Sequence, residues 1–187
     1  MVNKANLQDL FRGTEEAKAS FGDANYMRAG HYLCRIEEVR AGERRVGGGY
    51  VVFGMQVVHV FDDVQGSGHR VGENVSHMLM RAGAQADMFL PSMKAAIGAI
   101  CEGDPEAVTS GDLVAVVSDD QPLAGVVVEI VARNINTRRG TLFTRVTYKR
   151  PWTALELTNV LSEEAVKRFW PNGELQSQAS LQQGQIG

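Results

Sequence analysis

Polar and apolar positions alternate in several separate stretches of this chain, and each stretch reads as a strand with one buried face. From 31 to 40, Tyr32, Cys34 and Ile36 fall on one side, with His31, Arg35 and Glu37 on the other. From 50 to 61, Val51, Phe53, Met55 and Val57 make a continuous apolar face, and Tyr50 falls opposite it. Between these stretches lies Ala-Gly-Glu-Arg-Arg-Val-Gly-Gly-Gly (41–49), so the two read as a hairpin with arginines at its tip. Tyr32 and Phe53 are assigned to the core. A break from Asp62 to Gly68 leads to a third strand within Arg70 to Met80, where Gly72 interrupts the pattern as a β-bulge would. That interruption leaves the register of the third strand open.

The period then changes. Met88, Phe89, Met93, Ala96, Ile97 and Ile100 recur at helical spacing, which predicts a helix over roughly Ala84 to Cys101. Leu113 to Val117 fits a buried strand or a short helix equally well. Val126 to Ile135 is a β run, Asn-Thr-Arg-Arg-Gly (136–140) a turn, and Thr141 to Lys149 a last alternating strand. In that strand Leu142, Val146 and Tyr148 point to the core, while Phe143, Arg145 and Lys149 point away. After Pro151-Trp152, one helix is predicted from about Leu155 to Phe169, ending at Trp170-Pro171-Asn172-Gly173. The chain thus divides into an N-terminal extension (1–29, with a short amphipathic stretch at Leu7–Lys18), a β domain (30–152), a C-terminal helix (153–173) and a polar Gln/Ser/Gly tail (174–187) expected to be disordered. It shows no internal repeat.

Strand, strand, strand, helix, strand, strand is the order of a five-stranded OB-type β-barrel, in which a helix joins strands 3 and 4. The fold class expected is therefore mainly β with helices: such a barrel followed by a C-terminal helix. In that fold the ligand crosses strands 2 and 3, gripped by the loops joining strands 1–2 and 4–5. Here those loops carry Arg44/Arg45 and Arg138/Arg139.

Charge sharpens this picture. The formal net charge of -3 is mildly unfavourable for a protein that binds polyanions. The distribution says otherwise, because Arg133, Arg138, Arg139, Arg145, Lys149 and Arg150 face only Glu129 between Val126 and Arg150. The acids gather elsewhere, at Asp62/Asp63, Asp119/Asp120 and Glu163/Glu164. Arginine suits phosphate forks and stacks on flat rings. Sequence-tolerant binding of single strands requires cations along the phosphates and rings for unpaired bases. The candidate contacts are accordingly Arg35, Arg44, Arg45, Tyr50, Arg70, His77, Arg133, Arg138, Arg139, Phe143, Arg145, Lys149, Arg150 and Trp152. Phe143 has a competing role as cover for a packed helix, Trp152 as a plug at the domain edge, and the arginine pairs as solvated loop tips.

Other classes find less support. There is no phosphate-binding Gly-x-x-x-x-Gly-Lys-Ser/Thr loop. His31, His59, His69 and His77 lack Cys or carboxylate partners at metal-ligand spacing, so they read as structural or surface residues, although His77 is placed to stack on a base. Neither cysteine has a histidine at a nucleophile's spacing. The acid pairs lie in turn-like segments, where aspartate bonds its own backbone. No catalytic residue, metal or cofactor is expected. The apolar runs are too short to cross a bilayer, and the first residues lack a signal peptide's apolar region. Cys34 and Cys101 read as reduced thiols of a cytoplasmic protein.

Gly30-His31-Tyr32-Leu33-Cys34-Arg35-Ile36, then Val51-Val52-Phe53, Gly72-Glu73-Asn74-Val75-Ser76, Gln121-Pro122-Leu123-Ala124-Gly125 before Val126 to Val131, and Gly140-Thr141-Leu142-Phe143-Thr144 form an ordered series. In order and spacing, from about Gly30 to Pro151, it resembles bacteriophage single-stranded DNA-binding proteins of the OB fold. That resemblance implies coating of single-stranded DNA in phage replication or recombination, without catalysis, in the cytoplasm of an infected bacterium. It also implies replication or recombination proteins as partners, and a homo-oligomer on DNA. Many such proteins recruit partners through an acidic tail, whereas this chain has no acid after Glu174. A non-catalytic interaction β-domain, such as a virion component, accounts for the barrel but leaves the arginine-tipped loops as coincidence. A metal-dependent nuclease requires the acid pairs to converge. If the loops grip phosphate, replacing Arg44, Arg45, Arg138 and Arg139 with alanine weakens single-strand binding. The log–log salt slope then shrinks by about 0.7 for each phosphate no longer held, and an unchanged slope removes these loops from the interface.

Overall fold

The computed structural model describes residues 25–43, 48–62, 68–81, 86–136, 140, 142–173 and 175. Strands β1 (Gly30–Glu43), β2 (Gly49–Asp62), β3 (Asn74–Met80), β4 (Val127–Asn136) and β5 (Leu142–Pro151) form one antiparallel sheet. Its order is β3-β2-β1-β4-β5. Helix α1 (Ala86–Ile100), a 3-10 turn (Pro105–Ala107) and α2 (Ser110–Val116) join β3 to β4, and α3 (Ala154–Val160) and α4 (Glu163–Phe169) follow β5.

The alternation read from the sequence decides the layering. Tyr32, Cys34 and Ile36 of β1, Phe53, Met55 and Val57 of β2, and Val128 and Ile130 of β4 are buried on the inner face. They pack against Met93, Ala96, Ile97 and Ile100 of α1. Each large apolar side chain removed from water in this way contributes about 1.5–3 kcal/mol. A second, smaller core lies on the outer face, where Leu33, Val58 and Val127 meet Ala154, Leu157, Leu161, Val166 and Phe169 of the C-terminal helices. The sheet is covered on both sides, but its outer side only in part.

Several local expectations change. The segment at Leu113–Val117 is helical, because Thr109 and Asp112 form a reciprocal capping box that starts α2 at Ser110. The single C-terminal helix is two. Thr153 and Glu156 cap α3, and Ser162 accepts a hydrogen bond from the Ala165 amide to start α4 afresh. Gly72 is not a bulge within β3 but part of the turn before it. Its φ of +91° suits glycine, and a Cβ there would run into the Arg168 guanidinium. With that turn placed, β3 has a definite register, Phe53 opposite His77 and Met55 opposite Val75. Leu142 is exposed instead of buried, because β5 runs past the end of the core at that point.

The five strands and the helix between β3 and β4 are as expected, but the sheet does not close into a barrel. Among the described residues β3 and β5 are edges and do not pair. The backbone explains why, since the outward amide and carbonyl of Ser76 are already bonded to Asn25 and Met27. That extended segment occupies the β3 edge where β5 would have to dock. The sheet still curls enough for side chains to meet across the gap. His77 Nδ1 on β3 and the Tyr148 hydroxyl on β5 are 3.0 Å apart, and the Phe53 ring lies 5.3 Å from Tyr148.

Burial pushes the His77 ring down from 6.5 to about 4. Between those two values the unfolded chain holds a proton that the folded chain refuses. This contribution to stability is therefore whole above the unfolded value and is lost as pH falls toward the folded one. Denaturant melts of the natural chain should show that loss from neutral pH down to about 4. His77→Phe combined with Tyr148→Phe removes both polar partners together and should flatten the profile. A slope that survives in the double variant assigns it to other groups.

Candidate nucleic-acid interface

Strict pairing of β4 with β5 builds the exposed part of the outer face. Val131 stands opposite Thr147, Arg133 opposite Arg145, and Ile135 opposite Phe143. Both arginines are exposed, and the Phe143 side chain is 41% exposed. Two like charges directly opposite on adjacent strands destabilise a sheet by a few tenths to about 1 kcal/mol. Among the described residues no side chain relieves them, and neither arginine, nor the exposed Lys149, has an ion-pair partner there. Lys149 and Arg150 occupy a bulge, created where the pairing shifts between Val128–Pro151 and Ile130–Tyr148.

Toward the start of β4 the same face carries a group of rings. Glu129 accepts a hydrogen bond from Trp152 Nε1 (3.1 Å) and lies 2.9 Å from His31 Nε2. The Phe61 ring lies 4.5 Å from His31, 4.8 Å from His59 and 5.6 Å from Trp152. The Arg150 guanidinium sits 4.9 Å over the Trp152 ring while bonding Glu156 at 2.8 Å. Burial alone would raise the Glu129 carboxyl. The bonds from Trp152 and His31 and the nearby Arg150 charge outweigh it and hold the group ionised below its usual range. Burial lowers His59.

The structure therefore gathers Arg133, Phe143, Arg145, Lys149, Arg150 and Trp152 on the β4–β5 hairpin and its exit. Other sequence candidates lie elsewhere. Arg35 is on the outer face, but its guanidinium bonds Glu37 and the Phe169 carbonyl and lies 5.6 Å from the Trp170 ring. It holds the C-terminal helices in place. Tyr50 points away from the inner face, as alternation predicts, with its ring over Gly42, where a Cβ would collide with it. It stands on the part of β1–β2 beyond the stretch of β1 that pairs with β4. Arg70 is exposed in the turn before β3. His77 faces inward, against Phe53 and Tyr148. Arg44, Arg45, Arg138 and Arg139 fall in the β1–β2 and β4–β5 connections, outside the described residues.

Phe61, His31, His59 and Glu129 were not singled out as contacts by the sequence. Glu129 alone carried a signal, as the only acid in the basic stretch. Asp62 ends β2, and Asp119 and Asp120 lie in the turn after α2. Among the described residues no three His, Cys, Asp or Glu side chains come together as a metal ion requires. No described helix is long and apolar enough to cross a membrane. A scan against protein-family models finds no match, and a search of curated proteins finds no relative.

The opposed arginines make a direct test of this geometry possible. Arg145→Glu converts repulsion across the strands into attraction and should add about 0.5–1 kcal/mol of stability at low ionic strength. That corresponds to a rise in melting temperature of about 1–4 °C for a domain of this size. The gain should fade in high salt as the charges are screened. A melting temperature that does not rise at low salt contradicts the Arg133–Arg145 pairing.

Proposed function

We propose that this chain binds single-stranded DNA, with little sequence preference and without catalysis, through the outer face of its β4–β5 hairpin. The observation that carries this reading is the Arg133–Arg145 rung, without an acidic partner among the described residues, and Phe143 and Ile135 on the next rung of the same face. An anion held between the two guanidiniums offsets a repulsion that no described side chain relieves, and a phosphate accepts two forked hydrogen bonds from arginine. An exposed ring one rung away offers a face to a base. A duplex keeps its bases stacked on each other, so the pairing of ring and cation favours unpaired strands.

The sheet supports an OB-type reading of the fold. The order β3-β2-β1-β4-β5 is that of a five-stranded OB barrel opened between strands 3 and 5, and barrels of this class are only partly closed. The helical connection from β3 to β4 occupies the expected place. What differs is the surface with the available cations, which is the β4–β5 arm and not the β2–β3 face. A role in phage replication or recombination follows from the sequence resemblance and is proposed on that ground.

The test is a titration of fluorescent oligothymidine at two salt concentrations. Low-salt binding that weakens steeply with salt is expected. Arg133→Ala with Arg145→Ala should reduce the magnitude of the slope by about 1.4, which is about 0.7 for each phosphate that the two arginines hold. Phe143→Ala should cost about 1–3 kcal/mol of affinity with the melting temperature nearly unchanged. Failure of the unmodified chain to bind at low salt ends this reading and leaves the fold as an interaction module.

A further inference from the structure

We infer that Phe61, with His31 and Trp152 beside it, is a second base-stacking station for a single-stranded nucleic acid. It lies on the same outer face as Phe143, with Arg133 and Arg145 between the two. This inference rests on the single-strand reading above and assigns a site within it.

Phe61, next to the last residue of β2, has 39% of its surface exposed, although three rings surround it. Two of those rings are fixed by one carboxylate, since Glu129 bonds both Trp152 Nε1 and His31 Nε2. The Arg150 guanidinium, itself tied to Glu156, lies over the Trp152 ring. The platform is therefore ordered before any ligand arrives, which lowers the entropy cost of binding to it. Its central ring is apolar, with its neighbours inclined to it by 38° to 76°, and the available cations lie along the adjoining strands. That combination matches a nucleobase joined to phosphates, and an apolar peptide would leave the cations without a partner.

Spacing constrains the path. His31 pairs with Val131, and Phe143 pairs with Ile135, so the two stations are separated by four residues of β4. At about 3.3 Å per residue this is about 13 Å along the strands, and the three strand spacings from β2 to β5 add about 14 Å across them. Stacked neighbours in a nucleic acid are about 3.4 Å apart, so bases at the two stations are not stacked neighbours. The backbone between them is drawn out, and its phosphates pass over the Arg133–Arg145 rung. Arg150 is engaged with Trp152 and Glu156 and acts as a positioning residue for the platform.

The experiment uses the full chain with oligothymidine and oligouridine long enough to reach both rings. Phe61→Ala should lower affinity about 5- to 150-fold on at least one of these strands, and Phe61→Tyr should restore it. The melting temperature should hold, because the ring is partly in solvent. Should Phe61→Ala melt early, photo-crosslinking of the unmodified chain with 5-iodouracil-substituted strands decides the matter. A crosslink at Phe61, His31 or Trp152 supports the station, and crosslinks confined to other residues overturn it. Undiminished binding by a folded Phe61→Ala variant also overturns the station while leaving the single-strand reading intact. No binding by the unmodified chain overturns both.

Discussion

The contact of Phe53, His77 and Tyr148 sets the curvature from which the rest of the surface follows. His77 comes from one edge strand and Tyr148 from the other, and both rings lean on Phe53 from a central strand. Two polar groups inside an apolar layer are tolerated because each satisfies the other. The same enclosure keeps the imidazole neutral, so the pair is a hydrogen bond and not an ion pair. Tyr148 pointing inward fixes the phase of β5, and with it the outward direction of Phe143 and Arg145. Backbone closure is not needed for this, and the Asn25–Met27 segment on the β3 edge prevents it at Ser76.

Covering the outer face is the second constraint. Its apolar positions, Leu33, Val58 and Val127, lie near the point where β5 exits, so the chain can fold α3 and α4 directly back over them. Short capped helices suit this, because the Leu161–Ser162 break lets both helices present Leu157, Leu161, Val166 and Phe169 to the same patch. Arg35 ties the far end down through the Phe169 carbonyl. Farther along β4 and β5 the outward positions mix Val131, Ile135 and Phe143 with Arg133, Arg145 and Thr147, so a covering helix would have to bury two opposed guanidiniums. The surface therefore stays open where its cations are.

Most of the sheet was legible because each strand buries one face, and the two-residue period reports that directly. β1, β2, β4 and β5 all follow it, and the outward placement of Phe143, Arg145 and Tyr50 came from it alone. The period fails wherever a bulge resets the phase. Counting from Phe53 by twos puts Phe61 inside with Met55 and Val57. The β1–β2 pairing instead shifts between Leu33 and Cys34 and again between His31 and Tyr32, and Phe61 joins the outer rings. Nothing local in the sequence announces those shifts, so the ring cluster around Glu129 was invisible. The two-helix C-terminus could have been read, since Ser162 before Glu163 and Glu164 is an ordinary helix start. The open β3 edge could not, because the segment that bridges it at Ser76 comes from an extension whose pairing has no sequence signature.

The negative net charge and a polyanion ligand are compatible on this structure because the charges are separated in space. Among the described residues, acids with strong local bonds are used within the protein: Glu73 on His69, Glu129 on Trp152 and His31, and Glu156 on Thr153 and Arg150. Their carboxylates are held below the usual range by those bonds, and their charge is partly neutralised there. Arg133, Arg145 and Lys149 have no such partner among the described residues. Exposure keeps their mutual repulsion small, because water and salt screen it within about 10 Å. A ligand that brings phosphate to them and excludes water strengthens the attraction at the same place. The field that matters for recognition is then the local one on the β4–β5 arm, and the net charge mainly sets how strongly long-range approach depends on salt.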